Sequence, residues 1–256
     1  LSCHTPAGVR ELAALGFTRV VLAREMSREE IAACAGQGAE LEIFVHGALC
    51  MAVSGQCALS AMLGGRSGNR GLCAQPCRLP FRPAEGDRRP GDADAALSLK
   101  DLSLREHIGE LAGLGVCSLK IEGRMKRPEY VAAATAAMAA ARDGRSPEET
   151  GRLADDLQSV FSRSGFTDGY YTARRGTPMF GVRRKEDVTA AAPVLGRLAR
   201  LYEKEVPRVD VSLTLTMEEG RPLRLTAADR EGHAVSVTGP LPEPAVNHPL
   251  DAERAA

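Results

Sequence analysis

The chain has 256 residues, 44% hydrophobic and 26% charged, with 33 basic against 33 acidic residues and a formal net charge of zero. That balance removes any global electrostatic drive toward nucleic acid and leaves only local patches to serve it. No stretch has the apolar length a bilayer needs, and the start, Leu1-Ser2-Cys3-His4-Thr5, carries neither an initiator Met nor a signal-peptide pattern. The expected setting is cytoplasmic, with no membrane contact, and the N-terminus reads as a cut inside a longer chain.

In chain order, residues 1–4 read as the remnant of a strand and 5–15 as its helix. Residues 19–23 form a buried strand, and Ser27 then caps a helix, with Glu30 completing a capping box. Residues 41–45 and, after a long loop, 96–99 read as further strands. A helix follows near 104–112, then a strand at 116–121 and an Ala-rich helix from Pro128 to about Ala141. Residues 147–165 are helical, 165–171 are turn-rich, and 186–205 form another helix interrupted at Pro193. From residue 209 the pattern switches to period two over 211–216, with weaker alternation at 223–227 and 234–238 and turns at Gly220 and Gly232. The mixed-charge run 85–94 and the Pro-rich tail 240–249 read as loops.

Repeated strand–helix units predict parallel strands covered by helices. Polar residues recur at successive strand ends: His4, Arg24-Glu25, His46, Lys100-Asp101, and Glu122 with Arg124. In a β/α barrel those ends converge on one catalytic face. The predicted class is therefore α/β: an incomplete TIM-like barrel followed by a small antiparallel β segment. The predicted organisation is a partial barrel over 1–145 with a cysteine-rich loop at 46–78, a helical extension over 146–207, and the start of a small β domain over 208–256. Five units are visible where a closed barrel needs eight, so an N-terminal portion is expected to be absent.

Seven cysteines are unevenly placed, and an odd number in a large chain argues against a disulfide framework. Cys50, Cys57, Cys73 and Cys77 follow C-x6-C-x15-C-x3-C. Four thiolates can enclose zinc or a [4Fe–4S] cluster. Zinc ribbons use two tight C-x2-C pairs; the wider, unequal gaps suit a cluster better. Glycines at 64, 65, 68 and 71 let backbone N–H groups approach sulfide, and Arg66, Arg70 and Arg78 offset negative charge. Cys50 and Cys57 are spaced to face each other across two helical turns. Cys34 and Cys3 read as core, and Cys117 as core or as an alternative ligand.

On the barrel face, His46, Lys100, Glu122 and Arg124 are the candidate catalytic or substrate-placing residues. Competing readings are a satisfied core histidine for His46, a barrel-closing salt bridge for Glu122 and Arg124, and a helix N-cap for Asp101. Arg174, Arg175, Arg183, Arg184 and Lys185 lie near Tyr170, Tyr171 and Phe180, a mixture that binds phosphate and stacks bases when it is not plain solvated surface. Hydrolysis finds little support: Ser54 lacks the G-x-S-x-G elbow, no H-E-x-x-H exists, and four clustered thiols exceed what a cysteine protease needs.

The segment from His46 to Arg78, with the runs Leu97–Leu102 and Ser118–Lys126, Phe166-Thr167-Asp168-Gly169-Tyr170 and Met179-Phe180-Gly181, resembles the collagenase-like peptidase family, family U number thirty-two. The resemblance covers about residues 1–205 and is strongest to large bacterial members with a C-terminal collagenase-associated domain. It implies an enzyme. Several members hydroxylate tRNA or rRNA bases or the ubiquinone ring with cysteine-bound [4Fe–4S] clusters, and that carry-over lands on Cys50, Cys57, Cys73 and Cys77, with Cys117 as a substitute for Cys77. RNA or a small aromatic molecule is the implied substrate. A peptide is the alternative, in keeping with the family's name, and a binding module with a structural metal is a third reading.

Overall fold

The computed structural model describes residues 3–81, 95–124, 126–202 and 209–244. The chain divides between residues 203 and 204 into two compact units. The first contains α1 (Pro6–Ala14), β1 (Arg19–Val21), α2 (Arg28–Cys34), β2 (Glu40–Ala48), α3 (Leu59–Gly64), β3 (Asp101–Ser103), α4 (Ile108–Gly113), β4 (Val116–Ile121), α5 (Pro128–Arg142), α6 (Pro147–Val160), β5 (Phe166–Thr167), α7 (Lys185–Ala190) and α8 (Ala192–Ala199). The second holds β6 (Val211–Thr216), β7 (Arg224–Asp229) and β8 (Ala234–Thr238) in one antiparallel sheet.

Strand β2 is the spine of the first unit. Its first residues pair in parallel with β1, and most of its length pairs in parallel with β4. Val20, Leu41, Ile43 and Val45 place β-branched and leucine side chains in the core beneath α2, α4 and α5. The capping box expected at Ser27 is present: Glu30 N donates to Ser27 Oγ, and Ser27 N donates to Glu30 Oε2. Helix α5 buries Ala133, Ala134 and Ala137 completely. These small side chains let the helix axis approach its neighbours closely, and α6 and α8 pack on it within the same unit. No closed barrel forms among the described residues; the sheet is open, as an incomplete barrel requires.

Two expectations are corrected. The strand expected at 96–99 lies instead at β3, and it runs antiparallel to β2, not parallel. Leu99 makes only an isolated bridge to Phe180, while Asp101 is drawn into the ladder because its carboxylate is buried against Arg163. The turn-rich stretch 165–171 contains β5, which pairs in parallel with β3. The run 85–94, the end of the helix beyond 202 and the tail beyond 244 lie outside the described residues. Among the described residues no helix is long and apolar enough to cross a membrane.

Candidate metal centre and barrel face

The cysteine loop leaves the end of β2 and is fastened at both ends. Arg24, just after β1, donates to Ala48 O at 2.5 Å and stacks on Phe44 at 4.0 Å. Its neighbour Glu25 accepts from both the backbone N–H and the hydroxyl of Ser54 at 2.9 Å. At the far end Arg78 spreads its fork over Leu49 O (2.5 Å), Leu99 O (2.6 Å) and Ser98 Oγ (3.1 Å), which closes the neck of the loop. Inside, Arg66 donates to Leu72 O and Asn69 to Gly55 O. Gly71 sits at φ +86, where an added Cβ would lie 3.1 Å from Arg124 Nη1. The helical face expected to join Cys50 and Cys57 does not form; the chain between them is bends and turns.

Cys50 and Cys77 act on each other, and Cys57 acts on both. Burial pushes the Cys50 thiol up, and neighbouring Cys77 and Cys57 add to the effect, while Arg24 and Arg78 oppose it. The Cys77 thiol is also raised, mainly by burial and then by Cys73 and Cys57. Cys50 is the one of the four that is exposed. Thiols held protonated must lose protons when a metal binds. Cys73 is prepared for charge: Gln75 N donates to its sulfur at 3.3 Å, and Ser60 Oγ lies 3.7 Å away. Such hydrogen bonds to sulfur are a feature of iron–sulfur ligation.

Spacing bears on which group fits. Four thiolates on one zinc, at about 2.3 Å each, stand only about 3.8 Å apart. Among the described residues the one trio of Cys, His, Asp or Glu ligand atoms within 4.8 Å of one another is Asp229, Glu231 and His233 in the second unit. No three of the loop sulfurs reach that distance. Four cysteines in one loop are a donor set that either a four-iron cluster or a zinc ion could take.

The barrel-face residues fall into two groups. Glu122 and Arg124 follow β4 and face the loop: Glu122 Oε1 accepts from Arg124 N at 2.8 Å, and Oε2 lies 3.8 Å from Arg24. His46 is completely buried, with its ring between Tyr130 and Phe166. Neither ring nitrogen meets hydrogen-bond geometry, although the Leu102 backbone lies near enough to favour the charged form of the ring slightly. Desolvation, with Lys126 nearby, lowers its pKa to about 4. It is neutral at physiological pH and closed to solvent. Lys100 is half-buried, and its backbone N–H donates to Met179 O at 2.8 Å. Asp101 is not a helix cap but the buried partner of Arg163 at 2.6 Å. Cys117 is exposed, and its sulfur reaches Leu41 O at 3.3 Å. Leu41 is at the start of β2 and Cys50 lies beyond its end, on the order of 20 Å away along the strand, so Cys117 is neither core nor a substitute ligand. Cys34 is in the core.

Sequence reasoning missed the cleft beside the loop, lined by Lys126, Tyr130, Phe161, Arg163, Arg183 and Gln75. Arg183 had been singled out, but its ring partner is Phe161 at 4.3 Å rather than Phe180.

An open α/β sheet of incomplete-barrel type, with a four-cysteine loop at the carboxyl end of its central strand, defines the class of protein. The family model described as Peptidase family U32 matches residues 1–180, and the chain belongs to that family. It is 39% identical over 178 residues to the 23S rRNA 5-hydroxycytidine C2501 synthase of Escherichia coli strain K12, covering 64% of this chain and 27% of that protein. It is 39% identical over 176 residues to a collagenase of Porphyromonas gingivalis strain W83, covering 61% and 42%. A tRNA hydroxylation protein P1 of Bacillus subtilis strain 168 is 45% identical over 125 residues, covering 46% and 30%. The chain thus spans less than half the length of these relatives. No solved structure matches.

Proposed function

We propose that this chain is the cluster-bearing part of an RNA-hydroxylating enzyme of the cytoplasm, with Cys50, Cys57, Cys73 and Cys77 holding a [4Fe–4S] cluster. The observation that carries the reading is the loop itself: four cysteines between pinned ends, with Cys57 close enough to act on both Cys50 and Cys77, and a backbone N–H donating to Cys73. Two of the three relatives described are named for hydroxylated RNA. When bound, such a cluster supplies one-electron chemistry or an iron site for an oxygen donor. The protein's own part is positional. Arg78 locks the loop neck, and Glu122 and Arg124 present a carboxylate and a guanidinium beside it for substrate contacts. His46 and Lys100 support that face from behind, His46 as an uncharged ring that holds the ends of β2 and β4 apart from water.

The collagenase name of one relative motivates a peptidase reading. The geometry gives it little: the Ser54 hydroxyl donates to Glu25, and the His46 ring bonds no nucleophile.

The test is anaerobic purification of the chain and of Cys73→Ala, followed by iron, zinc and acid-labile sulfide analysis. The expected result is about four irons and four sulfides per chain, lost in the variant. Zinc without sulfide would overturn the cluster, and with it the redox chemistry.

A further inference from the structure

The cleft between the start of α5, the end of α6 and the α7–α8 pair gathers positive charge around one ring. Lys126 Nζ lies 3.0 Å from the centroid of Phe161, the Arg183 guanidinium 4.3 Å and that of Arg163 4.9 Å. Lys126 also lies 5.6 Å from the Tyr130 centroid. One ring face can offset only a small part of three like charges. Of the nearby acids, Asp101 places Oδ1 on Arg163 while its Oδ2 has no hydrogen-bond partner and draws Lys126 only at longer range, and Asp187 Oδ2 accepts from the backbone of Arg184. The Lys126 ammonium has no hydrogen-bond acceptor and no carboxylate partner among the described residues. Its amine is held down to about 7, first by desolvation and then by Arg163. A half-buried, unpaired ammonium between two guanidinium groups is costly unless an anion joins it.

The rest of the lining describes the anion's body. The cleft has a volume of about 340 Å³ and opens to solvent, enough for one ring-sized group. Val188 and Leu195 add apolar lining to a cleft that also holds two aromatic rings. An ammonium and Arg forks suit an oxyanion with several acceptor oxygens, and an apolar lining with aromatics suits an attached planar ring.

We propose that this cleft is an oxyanion site that holds a phosphate of a nucleic-acid strand, with Lys126 and Arg183 as its donors. The proposal rests on the RNA reading only for the source of the phosphate; the oxyanion site stands on the cleft alone. Gln75 lines the cleft and donates its backbone N–H to Cys73, so a strand held here would lie next to the cysteine loop.

The experiment measures binding of inorganic phosphate, cytidine 5′-monophosphate and a single-stranded RNA oligonucleotide to the full chain, to Lys126→Gln and to Lys126→Arg, at matched ionic strength. We expect saturable binding of both small phosphates, weakened at least about tenfold by Lys126→Gln and recovered by Lys126→Arg. The recovery shows that charge, not misfolding, is at issue. For the oligonucleotide, the slope of log affinity against log salt should fall by about 1 in Lys126→Gln. No saturable binding of the small phosphates, or binding indifferent to Lys126→Gln, would overturn the site. Small-phosphate binding that depends on Lys126 with an unchanged RNA salt slope would overturn the strand as the source. Absence of RNA binding by the unmodified chain, with small-phosphate binding intact, would count against the RNA reading and leave the oxyanion site standing.

Discussion

Asp101 and Arg163 meet at 2.6 Å with side chains 0% and 6% exposed, 62 residues apart in the chain. The pair joins β3 to the segment after α6 and so ties the sheet to its helical cover. Breaking a buried pair by removing one partner strands the other charge, at a cost of about 3–5 kcal/mol. Arg163→Met is expected to lose that much stability in urea denaturation, and the double variant with Asp101→Asn should recover a good part of it. A loss in the double variant equal to the sum of the Arg163→Met and Asp101→Asn losses would show that the pair is not coupled.

His46 gives the fold a pH dependence. Its folded pKa of about 4 lies below its ordinary value of 6.5 because burial disfavours the imidazolium. The folded state therefore binds fewer protons than the unfolded one. The stabilisation is fully present above pH 6.5 and is lost as pH falls toward 4. A shift of this size corresponds to about 3 kcal/mol. Lys126, with its amine near 7, titrates above this window. Denaturation midpoints from pH 7 to pH 4 should fall more steeply for the unmodified chain than for His46→Phe; parallel curves would refute the assignment.

Gly47 occupies φ +133, and a Cβ there would sit 2.6 Å from Glu122 Cβ and 2.8 Å from Glu122 O. The approach lets Glu122 N donate to His46 O at 2.9 Å where β4 leaves β2. Gly47→Ala should destabilise the chain by about 3 kcal/mol through backbone strain and overlap. It should also lower iron retention, because Glu122 and the loop neck would move together. A thermal midpoint within a degree of the unmodified chain would show that the contact relaxes freely.

Much of this architecture was readable from local pattern. The capping box of α2, the strand β4 and the period-two strands β6 and β8 depend on neighbouring residues, and they stand where the pattern puts them. What was not readable depends on partners distant in sequence. Asp101 looked like a cap because its role is set by Arg163, 62 residues on. β3 lies later than the apolar run because only Ser98 and Leu99 of that run are buried, and Leu99 pairs only through an isolated bridge to Phe180. β5, at two residues, is too short to show alternation. The four cysteines were conspicuous as a group. The cleft was not, because Lys126, Phe161 and Arg183 come from three separate stretches and meet only after α5, α6 and α7 have packed.

Gln75 adopts a left-handed backbone, φ 57, between Cys73 and Cys77. That turn aims its N–H at the Cys73 sulfur, while its side-chain carbonyl accepts from Arg163 at 3.4 Å. One residue thus borders both the thiolate loop and the cationic cleft. With the proposed cluster in the loop and the proposed phosphate in the cleft, any coupling through Gln75 would be reciprocal: each ligand would change the other's affinity by the same factor.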